Sequence, residues 1–310
     1  MRLVRSFEIL FISGILVAAG AVSVWLAIWS PDALLRDPLP LYRQGAERSS
    51  PEIANGRRLH HIHLVGPDDE TVPFRLSLPE EMPIEPIPVV VVVGSFPGGP
   101  DAMAAAPHPG PNAVIAYMPP FASDENVLAS FPLGWWSARR VIYRMPEEVS
   151  AILAWAGRQD WADRKRINIV GSGLGAALLP AIRRRAAATG QPVNATVFIG
   201  GGADLAEMAD TNLKLGLPWL RAPTAWLAGT MLHPLAPETH LPEISGPFLL
   251  VNLPDDPAIP SESAEALQSL TPDPKTAAAV PRGDATDDTY AARIARAVQN
   301  WLIAQGAINP

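Results

Sequence analysis

Ile167-Asn168-Ile169-Val170-Gly171-Ser172-Gly173-Leu174-Gly175-Ala176 carries a short apolar strand into alternating glycines, and an alanine-rich helical segment, 176–188, comes next. Small residues are needed where a strand reverses sharply into a helix packed on the same sheet. The run also fits a dinucleotide fingerprint, G-x-G-x-x-[G/A], at Gly171, Gly173 and Ala176. That reading requires a carboxylate at the end of the next strand to hold a ribose. Val197-Phe198-Ile199-Gly200-Gly201 supplies none, and the run sits mid-chain rather than opening a domain. No cofactor is therefore expected. A purely structural reading, in which the glycines let a helix pack tightly on a strand, needs no ligand at all.

Working outward, strand-like and helix-like segments alternate. Residues 59–65 and 72–78 alternate well enough for an antiparallel pair at a sheet edge. The valine run 89–93 suits a strand buried on both faces, and 114–118 is a second short apolar strand. Val149, Ile152, Leu153 and Ala156 recur at helical spacing over 146–156, with Pro146 acceptable in a first turn. Residues 167–170, 193–199 and 248–251 complete the strands, and 290–304 presents Ile294, Val298, Trp301 and Leu302 on one helix face. This alternation predicts an α/β fold with a mostly parallel sheet and helices on both faces. Residues 203–246, with Trp219, Trp226 and several prolines, break the alternation and read as a cap or insertion.

Together with the amphipathic helix and Trp161-Ala162-Asp163-Arg164-Lys165-Arg166 before it, the glycine run resembles the nucleophile elbow, G-x-S-x-G, of α/β-hydrolases of the esterase and dienelactone-hydrolase type. The structural reading of the glycines is compatible with this one. The resemblance spans about residues 58–306. It aligns Gly171 and Gly175 with the flanking glycines, Ser172 with the variable position and Gly173 with the nucleophile. In that family an acid follows the strand after the cap. Val251-Asn252-Leu253-Pro254-Asp255-Asp256-Pro257 matches this passage, with Asp256 as the acid and Asp255 as its alternative. The bland reading of the pair is loop carboxylates bonded to their own backbone. The base should stand in the next loop, yet Val280-Pro281-Arg282-Gly283-Asp284-Ala285-Thr286 has no histidine and none follows His240. The oxyanion loop corresponds to Gly94, Ser95 and Phe96. The implied site is thus a vestige, with no intact catalytic set, since a serine without a base to take its proton is a weak nucleophile.

His61 and His63 would share a strand face, with His60 just before them in sequence, but no third ligand is spaced to complete a metal site with them, nor with His108, His233 or His240. No metal is expected. Phe131, Trp135 and Trp136, and Trp219 with Trp226, read first as core and second as a pocket lining. Asn194-Ala195-Thr196 matches a glycosylation acceptor but precedes or enters a strand.

The net charge of −7 and pI near 5.4 leave no basic stripe for nucleic acid. With no cysteine, disulfides and thiolate chemistry are excluded. From Ile9 to Trp29 no residue is charged, enough helix to span a bilayer, and Arg2 and Arg5 precede it. The expected layout is a cytoplasmic N-terminus and transmembrane anchor over 1–30, a juxtamembrane linker over 31–55, and an extracytoplasmic hydrolase-like domain over 56–310. The expected role is non-catalytic, a binding, scaffolding or accessory subunit of a membrane complex; the alternative is a membrane-anchored serine esterase using Ser172. The small-residue run Ala19-Gly20-Ala21 resembles a signal-peptidase site, but the apolar run continues past it. Intact mass of the mature protein is expected to retain the segment 9–29; a mature chain beginning at Val22 would show a cleaved signal peptide instead.

Overall fold

The computed structural model describes residues 38–45, 51–67, 69–94, 110–119, 133–212, 221–284 and 286–310, with residues 14, 18, 20 and 21 assigned as helical. The strands are β1 (Arg43–Gln44), β2 (Glu52–Ala54), β3 (Arg57–Val65), β4 (Thr71–Pro79), β5 (Ile87–Val93), β6 (Ala113–Tyr117), β7 (Ala162–Ser172), β8 (Thr196–Ile199), β9 (Phe248–Asn252) and β10 (Lys275–Ala279). The helices are α1 (Leu133–Ala156), α2 (Leu174–Ala188), α3 (Leu205–Asn212), α4 (Arg221–Leu232), the single turn α5 (Pro237–His240), α6 (Ser261–Leu270) and α7 (Asp287–Ala304).

All ten strands join one sheet in the order β1-β3-β4-β6-β5-β7-β8-β9-β10, with β2 paired to β3. Pairing is parallel from β6 through β5, β7, β8 and β9 to β10. It is antiparallel at the other edge, where β3 pairs β4 and β4 pairs β6. The sheet is therefore mixed. The valine run shows why β5 lies at its centre: Val89, Val91 and Val93 enter one apolar layer, and Val90 and Val92 enter the other. Strand side chains alternate between faces, so an unbroken apolar run is stable only where both faces are covered. Met145, Val149 and Ile152 of α1 and Leu178, Leu179 and Ile182 of α2 cover the first face. Ile294, Val298 and Leu302 of α7 cover the second.

Several expectations change. Residues 43–44 and 52–54, expected in the linker, form β1 and β2 against β3. Tyr42, buried beside β1, donates to Glu147 Oε1 at 2.8 Å, and Trp155 Nε1 donates to Gln44 Oε1 at 3.0 Å. Helix α1 begins at Leu133, which puts Pro146 in its interior. Burial of Ile142 and Met145 upstream holds the helix together despite the backbone bond that proline removes. Residues 203–246 contribute α3, α4 and α5, so the described part of the insertion is helical. Strand β10 and helix α6 lacked a sequence signal, since Lys275-Thr276-Ala277-Ala278-Ala279 is largely exposed and barely apolar. Among the described residues no helix is long and apolar enough to cross a membrane, and the segment 9–29 lies almost wholly outside them.

The packing of α2 on the sheet depends on two glycines. A Cβ on Gly175 would lie 2.3 Å from the Val93 carbonyl oxygen, and one on Gly171 would lie 2.6 Å from Leu179 Cγ. The first contact is with backbone and cannot be relieved by a side-chain rotation. Gly175→Ala is expected to cost about 3 kcal/mol or more through overpacking. Thermal unfolding should show this as a fall of several degrees, whereas Gly157→Ala, whose added Cβ meets only ordinary contacts of 3.5 Å and beyond, should show little.

Candidate functional site

Strand β7 ends at Ser172 and α2 begins at Leu174, so a single residue, Gly173, makes the reversal. Its φ of 56° and ψ of −121° lie where L side chains are strained. The Gly173 N–H donates to the Ile199 carbonyl at 3.0 Å, and its own carbonyl accepts from Ala177 N at 3.2 Å. The turn is thereby tied to both β8 and the first turn of α2. A Cβ built on Gly173 would meet no atom within 4 Å, unlike those on Gly171 and Gly175. Packing therefore demands glycine at the two flanking positions but not at the tip. The backbone conformation favours glycine there, and the space beyond it is open.

Ser172 is placed quite differently. It lies within β7, opposite Ile199 of β8, and is 4 % exposed. Its hydroxyl is the only one in the turn, but it sits inside the sheet's edge rather than at the tip. Gly94, which follows β5, closes against the same turn: a Cβ there would lie 2.6 Å from Ser172 O, and Gly94 itself has φ +98°. The Gly94 N–H donates to Tyr117 O at 3.2 Å. Ser95 and Phe96, expected to continue the oxyanion loop, lie outside the described residues.

Both carboxylates of the acid passage have structural partners. Asp256 Oδ1 accepts from Ala258 N at 2.9 Å, the local turn that such residues commonly make. Asp255 Oδ2 accepts from Arg282 N at 2.7 Å and so ties this loop to the one after β10. That second loop is where the resemblance requires the base, and Asp255 holds its backbone rather than an imidazole. Tyr290, at the start of α7, donates to Val280 O at 3.2 Å; burial foremost, then the Asp256 and Asp255 charges, push its hydroxyl pKa up.

The described histidines lie elsewhere. His240 is fully buried, with Nε2 2.8 Å from Pro234 O and Nδ1 3.5 Å from Arg184 Nη1. His233 is exposed, 4.0 Å from Glu238 Oε1. His60, His61 and His63 stand on β3, near the antiparallel edge. Among the described residues no three His, Asp or Glu side chains are grouped to hold a metal ion. His108 falls outside those residues, as do the side chains of Phe131, Trp135, Trp136 and Trp219. Asn194 Nδ2 is engaged by Asn168 Oδ1 at 3.1 Å.

The elbow between β7 and α2, the Gly94 loop after β5, the acid passage after β9 and the loop after β10 stand in the chain order that the resemblance requires. Solved structures resemble the fold of this chain. Acetyl xylan esterase from Paenibacillus sp. R4 superposes with a TM-score of 0.58 at 13 % identity, over 91 % of this chain and 93 % of that one. The chain has the α/β-hydrolase fold. The esterase domain of a Rhodothermus marinus protein gives 0.53 at 17 % identity, over 79 % of this chain and 97 % of that one. A puromycin-hydrolyzing peptidase of Mycobacterium tuberculosis gives 0.59 at 19 % identity, over 84 % of this chain but only 41 % of that longer one. No protein-family model matches the sequence, and no curated protein matches it.

Sequence reading missed a buried polar group at the end of β6. Tyr117 OH donates to Glu148 Oε2, and Arg144 Nε reaches Glu148 Oε1 at 3.3 Å while its guanidinium also pairs with Glu70. Burial pushes the Glu148 carboxyl above the usual carboxylate range, against the lowering effects of Tyr117 and Arg144. The partners come from β6, α1 and the turn before β4, so no local spacing announces them. A carboxyl whose folded pKa is raised stabilises the fold most below its unfolded value, near 4.3, and loses that contribution as pH rises through the folded value. Glu148→Gln, which can still accept from Tyr117, is therefore expected to gain stability relative to the parent as pH rises from 4 to 8. Thermal melts across that range check it; a variant that loses ground as pH rises would show the ion pair with Arg144 to dominate.

Proposed function

We propose that this α/β-hydrolase-fold protein is non-catalytic and acts as a binding or scaffolding subunit, tethered by residues 9–29 with its domain outside the cytoplasm. The observation that carries this reading is Gly173: the one position in the elbow with open space for a reactive side chain has none. The loop after β10 supports it, because it contains no histidine and its backbone is held by Asp255. Two losses in one mechanism weigh more than one, since an oxyanion pocket without nucleophile and base retains little catalysis.

The second reading is an anchored serine esterase using Ser172; the esterase names of the structural neighbours support a hydrolase at the level of the fold. Burial of Ser172 in β7 argues against it, because a substrate carbonyl must approach the nucleophile to about 3 Å in alignment. The full chain in mild detergent is expected to resist labelling by a fluorophosphonate and to hydrolyse p-nitrophenyl acetate no faster than Ser172→Ala. Gly173→Ser is expected to fold, with a cost of about 1 kcal/mol for the positive φ, and to add little activity without a base. Robust hydrolysis abolished by Ser172→Ala would establish the esterase reading instead. Co-purification from the membrane should recover a stoichiometric partner if the scaffolding role holds.

A further inference from the structure

A cleft of about 520 Å³ opens between the start of α3, the α4–α5 segment and α6, formed by the insertion and the sheet's covering layer. Its volume falls within the roughly 300–1,000 Å³ range of small-molecule sites. Leu205 is buried in its wall, and Trp226 and Leu270 are 52 % and 40 % exposed, so two of the five exposed large hydrophobics among the described residues line this one depression. The charged groups lining it are the carboxylates of Asp204 and Glu238, with His233 beside Glu238; no lysine or arginine among the described residues lines it. Asp204 is held in place because its Oδ1 accepts from Ala206 N and Glu207 N, both at 2.9 Å. Next to Asp204, burial foremost and then the Asp204 and Glu262 charges hold the Glu207 carboxyl above its usual range.

A cleft that holds an exposed indole together with carboxylates attracts an organic cation, through the ring quadrupole and through charge. An anion is repelled by the same carboxylates, and a neutral apolar molecule gains nothing from their charge. We propose that this cleft binds a small organic ammonium ion, its apolar part on Trp226 and Leu270 and its charged head toward Asp204 and Glu238. None of the described residues lining the cleft belongs to the elbow, and the proposal stands whether or not the chain hydrolyses esters.

Calorimetry and saturation-transfer NMR on the full chain in a neutral maltoside detergent test it, with phenethylammonium chloride, its uncharged counterpart 2-phenylethanol, and the tripeptide Gly-Lys-Gly as probes. Phenethylammonium is expected to bind roughly tenfold more tightly than 2-phenylethanol. Glu238→Gln and Trp226→Ala should each weaken it several-fold, and Asp204→Asn should do so while keeping the α3 cap through its amide oxygen. Equal binding of the alcohol, or binding unchanged in Glu238→Gln and Asp204→Asn, would overturn the proposal by showing a merely apolar groove. Tighter binding of Gly-Lys-Gly than of phenethylammonium would overturn it too, in favour of a partner protein's lysine.

Discussion

The close approach of α2 to the end of β5 is the constraint on which the rest of the structure depends. Gly175 lies so near the Val93 carbonyl and Gly94 that no side chain fits between them, and Gly171 lies equally close to Leu179 and Ala176. With those contacts made, the first turn of α2 packs against Val93 and Gly94 at the end of β5. The N–H of Gly173 is then satisfied by Ile199 of β8, so the turn is fixed to the strands on both sides of β7. A bulkier residue at either flanking glycine would lift the helix and open the place where the loops converge.

Within that frame Gly173 stands at the strand-to-helix turn, and no histidine follows His240 in the sequence. The strained backbone at Gly173 persists although no side chain there makes use of it. Strain of this kind survives only where the surroundings over-determine it, and here the neighbouring glycine contacts do so. In the passage after β9, Asp256 closes its own turn and Asp255 holds the loop after β10. Such bonds stabilise the end of the domain without contributing a charge to any base.

The insertion and the antiparallel edge give the fold its individual character. Tyr143 of α1 donates to Met231 O of α4, and burial pushes its hydroxyl pKa up to about 12, so it remains a donor over the ordinary pH range. His240 is spent in the same region on Pro234 and Arg184. At the other edge, Tyr42 and Gln44 fasten residues 42–44 to α1.

The sequence by itself determined the elements whose signal is local. The valine run could only be a strand covered on both faces, the glycine turn could only be a tight strand-to-helix reversal, and the absence of histidine after His240 is a fact of composition that no folding can change. Those features sufficed for the α/β class and for placing Gly173 at the strand-to-helix turn. Tertiary structure decided what depends on contacts between distant residues. It recruited 43–44 and 52–54 as edge strands, since their pairing energy lies in the hydrogen bonds of β3 rather than in their own pattern. It made Lys275–Ala279 a strand for the same reason, through the ladder of β9. It buried Ser172 while leaving Gly173 open, a difference between adjacent residues set by alternation along β7 and the turn that ends it. It also assembled Tyr117, Arg144, Glu148 and Glu70, and the Trp226 cleft, from separate elements, because burial and proximity are properties of the packed chain and not of any stretch of it.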